Sequence, residues 1–527
     1  MKAFLMYRDR DFDPEQLLAR RERELRHNDA DERALDLRQV LPWNEEALRQ
    51  DLGLDALINA MAGGDNFLAE VAKVALLSSV TDLETIRYRQ NVLSDCLKNA
   101  AVVAGIYQLA VEAITGERKH HWGYWSHYPG AILHRAVDVL QMFVARLKRL
   151  KSIAEPQAQN FKSEGFANLF AMLRRELGDA YFAEIENHLR RLKFAGGVLI
   201  SAELGRGNKG ENYALRKPNE DDRNWLVRLF AEKAPSYTYQ LSPRDEAGAQ
   251  ALSALKDRGV HLVASALAQS TDHMLSFFQM LRTEVAFYIG CLNLHTELRR
   301  IGEPICLPAL APAGERRLSF RGLYDPSLAL TMGQKAVGND LSADHKDLVI
   351  ITGPNTGGKS TFLRSVGLAH LMMRAGMFVA AASFSSEVCE RLFTHYKREE
   401  DALMESGKWD EELGRMSEIV DRLEANSVLL CNESFASTNE REGSEIARQV
   451  VQALVEKRVK VFFVTHLYDF ARAIHDQKWN NAVFLRAERR ADGTRTFKLI
   501  EGEPLQTSYG EDLYTRIFEA ENLSPAN

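Results

Sequence analysis

The sequence predicts an α plus α/β chain, in which a long-helix region is followed by a domain of alternating strands and helices. Three observations carry this. Between Pro42 and Pro129, and again between Pro243 and Pro304, there is no proline and apolar residues recur at helical spacing. Beyond about residue 304, short β-branched runs alternate with helical patterns. Within that second region stands Gly353-Pro354-Asn355-Thr356-Gly357-Gly358-Lys359-Ser360-Thr361, which reads G-x-x-x-x-G-K-S.

The motif has the context it needs. Leu348-Val349-Ile350-Ile351 suits a buried strand before it, and Phe362 to Leu368 can open a helix after it. Its glycines let backbone N–H groups approach phosphates, and the helix N-terminus adds partial positive charge. Lys359 is expected to reach β/γ-phosphates and the Ser360 hydroxyl to ligate Mg²⁺. The expected ligands are therefore ATP and Mg²⁺.

Composition sets the bounds. At 527 residues, several domains are expected. Hydrophobic residues make up 45% and charged residues 27%, with a net charge of −6. This balance does not advertise nucleic acid, so any DNA contact must come from local basic patches. Cys96, Cys291, Cys306, Cys389 and Cys431 are scattered with no C-x-x-C pair, which argues against a zinc site or a disulfide framework. No apolar run is long enough to span a membrane, and the opening residues do not form a signal peptide. A cytoplasmic protein is expected.

Three segments follow in order: 1–40, 41–303 and 304–527. The first is dense in both charges and reads as a solvated helix. In the second, at least three helices precede residue 128. Thr81 is the expected N-cap of one of them, with Glu84 completing a capping box. Arg118 to Tyr128 is basic and aromatic, which suits base stacking or, more simply, a packed connection. Basic clusters stand at Arg146-Leu147-Lys148-Arg149-Leu150-Lys151 and Arg190-Arg191-Leu192-Lys193. A small β-hairpin is expected over 196–217, with Arg206, Lys209, Arg216 and Lys217 near its tip. It is a candidate DNA contact, although such tips are usually just solvated. A helix of about 40 residues follows, about 60 Å long, with Gly259 and Gly290 as possible breaks.

The third segment holds further parts of a nucleotide site. Ser427-Val428-Leu429-Leu430-Cys431 is a strand ending in Asn432-Glu433. Glu433 is available as a general base. Asn432 stands where a Mg²⁺-holding carboxylate is usual, and removes one negative charge. Val461 to Thr465 forms another strand ending at His466, which can sense a γ-phosphate and position water.

Together these residues resemble the MutS family of mismatch-repair ATPases. Thr352 to Thr361 is similar to the family's TGPNxGGKST. Thr465-His466 resembles its TH switch, Thr438 and Gly443 fit the loop after Walker B, and Ser508-Tyr509-Gly510 resembles its SYG. Asp82 to Gln90 is similar to its D-x-x-x-I-x-x-RQ segment. The resemblance implies helical core and lever regions followed by a P-loop (ABC-type) ATPase domain. It also implies a homodimer with composite ATP sites and a DNA clamp.

Some family features are not matched. The stretch ahead of the core-like region is too short for a mismatch-recognition and a connector domain, so a phenylalanine wedge is not expected. A nuclease-type C-terminal extension is not expected either. Asp410-Glu411-Glu412 falls where the family carries a Ser-Thr pair. The expected activity is ATP-dependent binding of mismatched, distorted or branched DNA in repair or recombination. The alternative is an ATPase whose helical arms bind a protein partner.

Overall fold

The computed structural model describes residues 1–14, 41–78, 80–121, 128–194, 197–216, 237–354, 357–398, 407–490 and 494–505. They fall into two compact units. One comprises Met1–Ala3, Ala101–Phe161 and Phe166–Arg282, and the other Phe4–Ala100, Lys162–Gly165 and Thr283 onward. Most of the charged segment before residue 40, the aromatic stretch 122–127, Lys217 and the SYG triplet lie outside the described residues.

The helical unit is built on amphipathic periodicity. In helix Pro129–Gln157, Leu133, Val137, Leu140, Val144 and Leu147 are all buried. Their alternating spacing of four and three residues makes one apolar stripe. Phe143 stacks on Phe278 of helix Glu246–Ile301. The expected hairpin is present: β1 (Leu199–Leu204) pairs antiparallel with β2 (Gly210–Arg216). Val198 and Leu215 pack against Val260 and Ala264 of the long helix. Arg206 and Lys209 are exposed at the tip, while Arg216 donates to Ser201 Oγ at 2.8 Å.

The long helix corrects an expectation. It runs unbroken for 56 residues, about 84 Å at 1.5 Å per residue. Gly259 and Gly290 do not break it. They are sites of close approach: a Cβ at 259 would stand 2.5 Å from Ile200 Cδ1, and one at 290 would stand 3.3 Å from Met61 Cε. Another correction concerns helix Leu83–Lys98. Its N-cap is Asp82 rather than Thr81, with the Asp82 carboxylate accepting from the N–H groups of Glu84 and Thr85. A carboxylate also suits the helix dipole.

The sheet unit holds two sheets. A six-stranded sheet has the order β12-β11-β6-β10-β9-β8. Its strands are β6 (Leu348–Thr352), β8 (Leu392–Tyr396), β9 (Val428–Asn432), β10 (Lys460–Val464), β11 (Ala482–Arg489) and β12 (Arg495–Glu501). Neighbours are parallel except β11–β12. β6, β8 and β10 are buried along their whole length, as strands covered on both faces must be. A smaller sheet, β3-β7-β4-β5, uses β3 (Ala309–Ala311), β4 (Leu318–Leu323), β5 (Asn339–Ser342) and β7 (Ser383–Glu387).

The first described residues differ from a solvated helix. Ala3, Leu5, Met6 and Phe12 are buried, and residues 4–12 contain no helix. In the sheet unit, Glu284 accepts from the N–H groups of Leu5 (2.9 Å), Met6 (2.7 Å) and Phe12 (2.7 Å). Burial raises the Glu284 carboxyl to about 7 against these three donors. Arg89, fully buried, stacks on Tyr7 and donates to the Met6 carbonyl.

Candidate functional site

Parallel strands bring the candidate residues to one end of the sheet. β10 lies between β6 and β9, with Val464 level with both Ile351 and Asn432. The chain leaves β6 into the glycine loop, β9 into Glu433 and β10 into Thr465-His466. All three exits are at strand C-terminal ends, where open parallel sheets collect ligands.

The glycine loop leads directly into helix Lys359–Arg374. Gly358, at φ 87°, precedes its first residue, a conformation that glycine adopts without strain. A Cβ there would also press on the Phe497 carbonyl at 3.2 Å. The β11–β12 hairpin therefore lies against the loop, and Ala487 approaches Gly353 and Gly357 from the same side. Neither contact was foreseen, because no local pattern marks a hairpin that pairs beside a loop over a hundred residues earlier. Arg364, further along the helix, pairs with the buried Asp325. Asn355 and Thr356 lie outside the described residues, and Thr361 is on the first helical turn.

Five of the expected residues meet. Lys359 Nζ donates to the carbonyls of Gly353 (2.9 Å) and Pro354 (2.8 Å) and lies 3.3 Å from His466 Nε2. Ser360 Oγ donates to Asn432 Oδ1 at 3.0 Å. His466 Nε2 stands 3.3 Å from Glu433 Oε1. Burial pushes the Lys359 ammonium down to about 8; Glu433 pulls the other way, and Arg495 adds to the depression. The Glu433 carboxyl is lowered, first by its hydrogen bond to His466 and also by the charge on Lys359, against a burial effect that raises it. The arrangement is a buried cation at a helix N-terminus, two neutral oxygens side by side, and an ionised carboxylate next to an imidazole.

The turn carrying Glu433 is unusual. Glu433 and Phe435 both have positive φ, 56° and 65°, which costs energy for side chains with a Cβ. Gly443 fits closely here: a Cβ on it would lie 2.3 Å from the Phe435 carbonyl. Thr438 Oγ1 donates to Glu442 Oε2 at 2.7 Å, at the start of helix Glu440–Glu456. In the acidic run, Glu412 is buried and accepts from the Phe435 N–H, whereas Glu411 pairs with Arg415. His395 was not foreseen either. It lies fully buried between Ser434 Oγ (2.7 Å) and the Glu412 carbonyl (3.1 Å). Burial pushes its imidazole down to about 4, aided by Arg415.

Among the described residues no cluster of three or more His, Cys, Asp or Glu could hold a metal by itself. The donor set at Ser360 and Asn432, two adjacent oxygens, suits a hard cation that keeps much of its water and shares ligands with phosphate, as Mg²⁺ does. No single helix among those residues is long and apolar enough to cross a membrane.

Fold and site together define a mixed helix-and-sheet protein with a glycine loop at a helix N-terminus beside a carboxylate–imidazole pair. The sequence profile of the MutS2 N-terminal domain matches residues 81–301, and that of MutS domain V matches residues 349–518. The chain belongs to the MutS family. A DNA mismatch repair protein MutS from Thermotoga sp. (strain RQ2) is 32% identical over 198 residues, covering 37% of this chain and 25% of the relative. An Endonuclease MutS2 from Carboxydothermus hydrogenoformans is 32% identical over 168 residues, covering 31% of this chain and 21% of the relative. The chain thus spans about a quarter or less of the length of these curated relatives.

Proposed function

We infer that this protein is an ATP-dependent DNA-binding protein of the MutS family, acting in mismatch repair or a related repair or recombination process. The observation that carries the reading is the convergence of Lys359, Ser360, Asn432, Glu433 and His466 at one end of the sheet. In this reading the segment from 304 onward is a P-loop (ABC-type) ATPase domain. Gly353 to Thr361 cradles the triphosphate of ATP, and Lys359 exchanges its two carbonyl partners for β/γ-phosphate oxygens. Ser360 and Asn432 hold Mg²⁺. The ion neutralises charge on the phosphate oxygens when bound. Glu433, held ionised, takes the proton of the attacking water, and His466 orients it. Asn432 supplies an oxygen but no charge, so metal affinity and turnover are lower than with a carboxylate there.

The relatives are named for DNA mismatch repair and, in one case, as an endonuclease. For this chain the reading is a cytoplasmic homodimer. It holds mismatched, distorted or branched duplex through phosphate contacts and DNA shape, and changes conformation with ATP. One observation favours the second reading, in which the helical arms bind a protein. The basic cluster 146–151 is largely neutralised: Arg146 pairs with Glu112, Lys148 with Glu186 and Lys151 with Asp179. DNA-stimulated ATPase across duplex, mismatched and branched DNA, at two salt concentrations, tests the reading. Stimulation by distorted or branched DNA that weakens with salt is expected. ATP turnover with no DNA binding at low salt would leave the protein-partner reading standing.

A further inference from the structure

The turn 433–435 is anchored on the side away from the glycine loop by groups that take no part in the site. Ser434, Phe435, His395 and Glu412 are all buried. Glu412 Oε1 accepts from the Phe435 N–H. The His395 ring bridges Ser434 Oγ and the backbone carbonyl of the same Glu412. Trp409, one turn earlier, meets Phe435 edge-on with ring centroids 6.3 Å apart. Three separate contacts therefore tie the first turns of helix Lys408–Arg422 to the two residues that follow Glu433.

The hydrogen positions follow from the partners. The Glu412 carbonyl only accepts, so His395 carries its proton on Nε2. Nδ1 is then an acceptor, and the one Ser434 hydroxyl proton is shared between it and the His395 backbone carbonyl, each 2.7 Å from Oγ. Glu412 uses one oxygen only; its Oε2 has no hydrogen-bond partner among the described residues. A carboxylate that is buried to hold one backbone N–H costs desolvation. Its gain lies in fixing a strained backbone. Positive φ at Glu433 and Phe435 persists only where the surroundings over-determine it. On the other side, among the described residues, the Glu433 N–H donates to the Val464 carbonyl at 2.9 Å and its carboxylate meets His466.

We propose that Glu412, His395 and Ser434 form a positioning relay that aims the Glu433 carboxylate and makes its aim depend on the docking of helix Lys408–Arg422. None of the three touches the reacting groups. The inference rests on the general-base reading of Glu433. A shift of about 1 Å in a reacting group can cost about 100-fold in rate, so loosening the relay lowers turnover while leaving the phosphate cradle intact.

The test is single-turnover hydrolysis of radiolabelled ATP, with binding of a fluorescent non-hydrolysable ATP analogue measured in parallel. The full-length variants are Glu412→Ala, Glu412→Gln, Ser434→Ala and Glu433→Gln. The expected result is a turnover loss of about 10- to 100-fold in Glu412→Ala and Ser434→Ala, with analogue affinity within about twofold of wild type. Glu412→Gln keeps the acceptor for the Phe435 N–H and is expected to rescue turnover. If Glu412→Ala does not fold, Ser434→Ala and Glu412→Gln carry the test. Wild-type turnover in the Ser434 and Glu412→Ala variants, with Glu433→Gln inactive, would overturn the relay alone. Equal loss of turnover and binding would reduce it to ordinary packing. Wild-type turnover in Glu433→Gln would overturn the base assignment and the relay with it.

Discussion

Charged side chains are used differently in the two units. In the sheet unit, besides surface pairs such as Arg49 with Asp55, several are buried and aimed at backbone or at one another. Glu284 holds three N–H groups, Glu412 holds one, and Lys460 meets Glu387 at 3.3 Å with both nearly inaccessible. In the helical unit they pair across the surface, as Lys148 does with Glu186, each 44% exposed. A surface pair contributes about 0–1 kcal/mol and is interchangeable. A buried charge has one geometry, and removing its partner costs several times more. Buried individual charges therefore hold fixed structural positions in the sheet unit, whereas in the helical unit most maintain a solvated surface.

The comparison breaks first, if it breaks at all, at Lys359. Lys359→Ala is expected to lower ATP affinity about 100-fold or more, by equilibrium binding, because its ammonium is the cation held against the loop's own carbonyls. Wild-type affinity should also fall as pH rises. Lys359 is depressed to about 8, so the free site loses its cation above that pH and binding must then take up a proton. Constant affinity from pH 7 to 9.5 would count against the lysine contact.

Asn432→Asp is the next largest test. It restores a carboxylate 3.0 Å from the Ser360 hydroxyl. Turnover at limiting Mg²⁺ is expected to rise about tenfold, and the Mg²⁺ half-saturation to fall. In the helical unit, the double variant Arg206→Ala with Lys209→Ala should flatten the slope of log affinity for DNA against log salt by about 2. Lys148→Ala with Arg149→Ala should leave that slope unchanged, since both cations already face carboxylates. Equal effects would erase the distinction between exposed tip and paired helix.

The smallest effect concerns Glu284. Burial raises its folded-state carboxyl to about 7. The native chain therefore keeps a proton that the unfolded chain has released. This stabilising contribution is complete below the unfolded value near 4.5 and is lost as pH rises through 7. Wild-type melting temperature should decline by a few degrees, on the order of 2–4 °C, over that window. Glu284→Gln should remove that part of the slope.

Legibility in the sequence followed locality. The strand, glycine loop and helix around Lys359 are contiguous, and so are the strand ends at Asn432-Glu433 and His466. Their residue types could be read because phosphate chemistry restricts the choice. The hairpin β1–β2 was legible from its turn residues. What escaped was long-range. Gly259 and Gly290 looked like helix breaks because Ile200 and Met61, which approach them, are distant in sequence. His395 and Glu412 carry no motif, since a buried histidine on a strand and a glutamate on a helix are unremarkable until folding joins them. Thr81 lost the cap to Asp82 by one residue because either side chain can serve, and only backbone geometry chooses between them.

The clamp at Glu284 has a consequence for how the chain is made. Leu5, Met6 and Phe12 are synthesised well before their partner, which is 279, 278 and 272 residues further on. At ~5–20 residues per second, roughly 15–50 s of synthesis separates them. Through that interval these apolar residues have no native seat, so the placing of this segment waits on residues made much later.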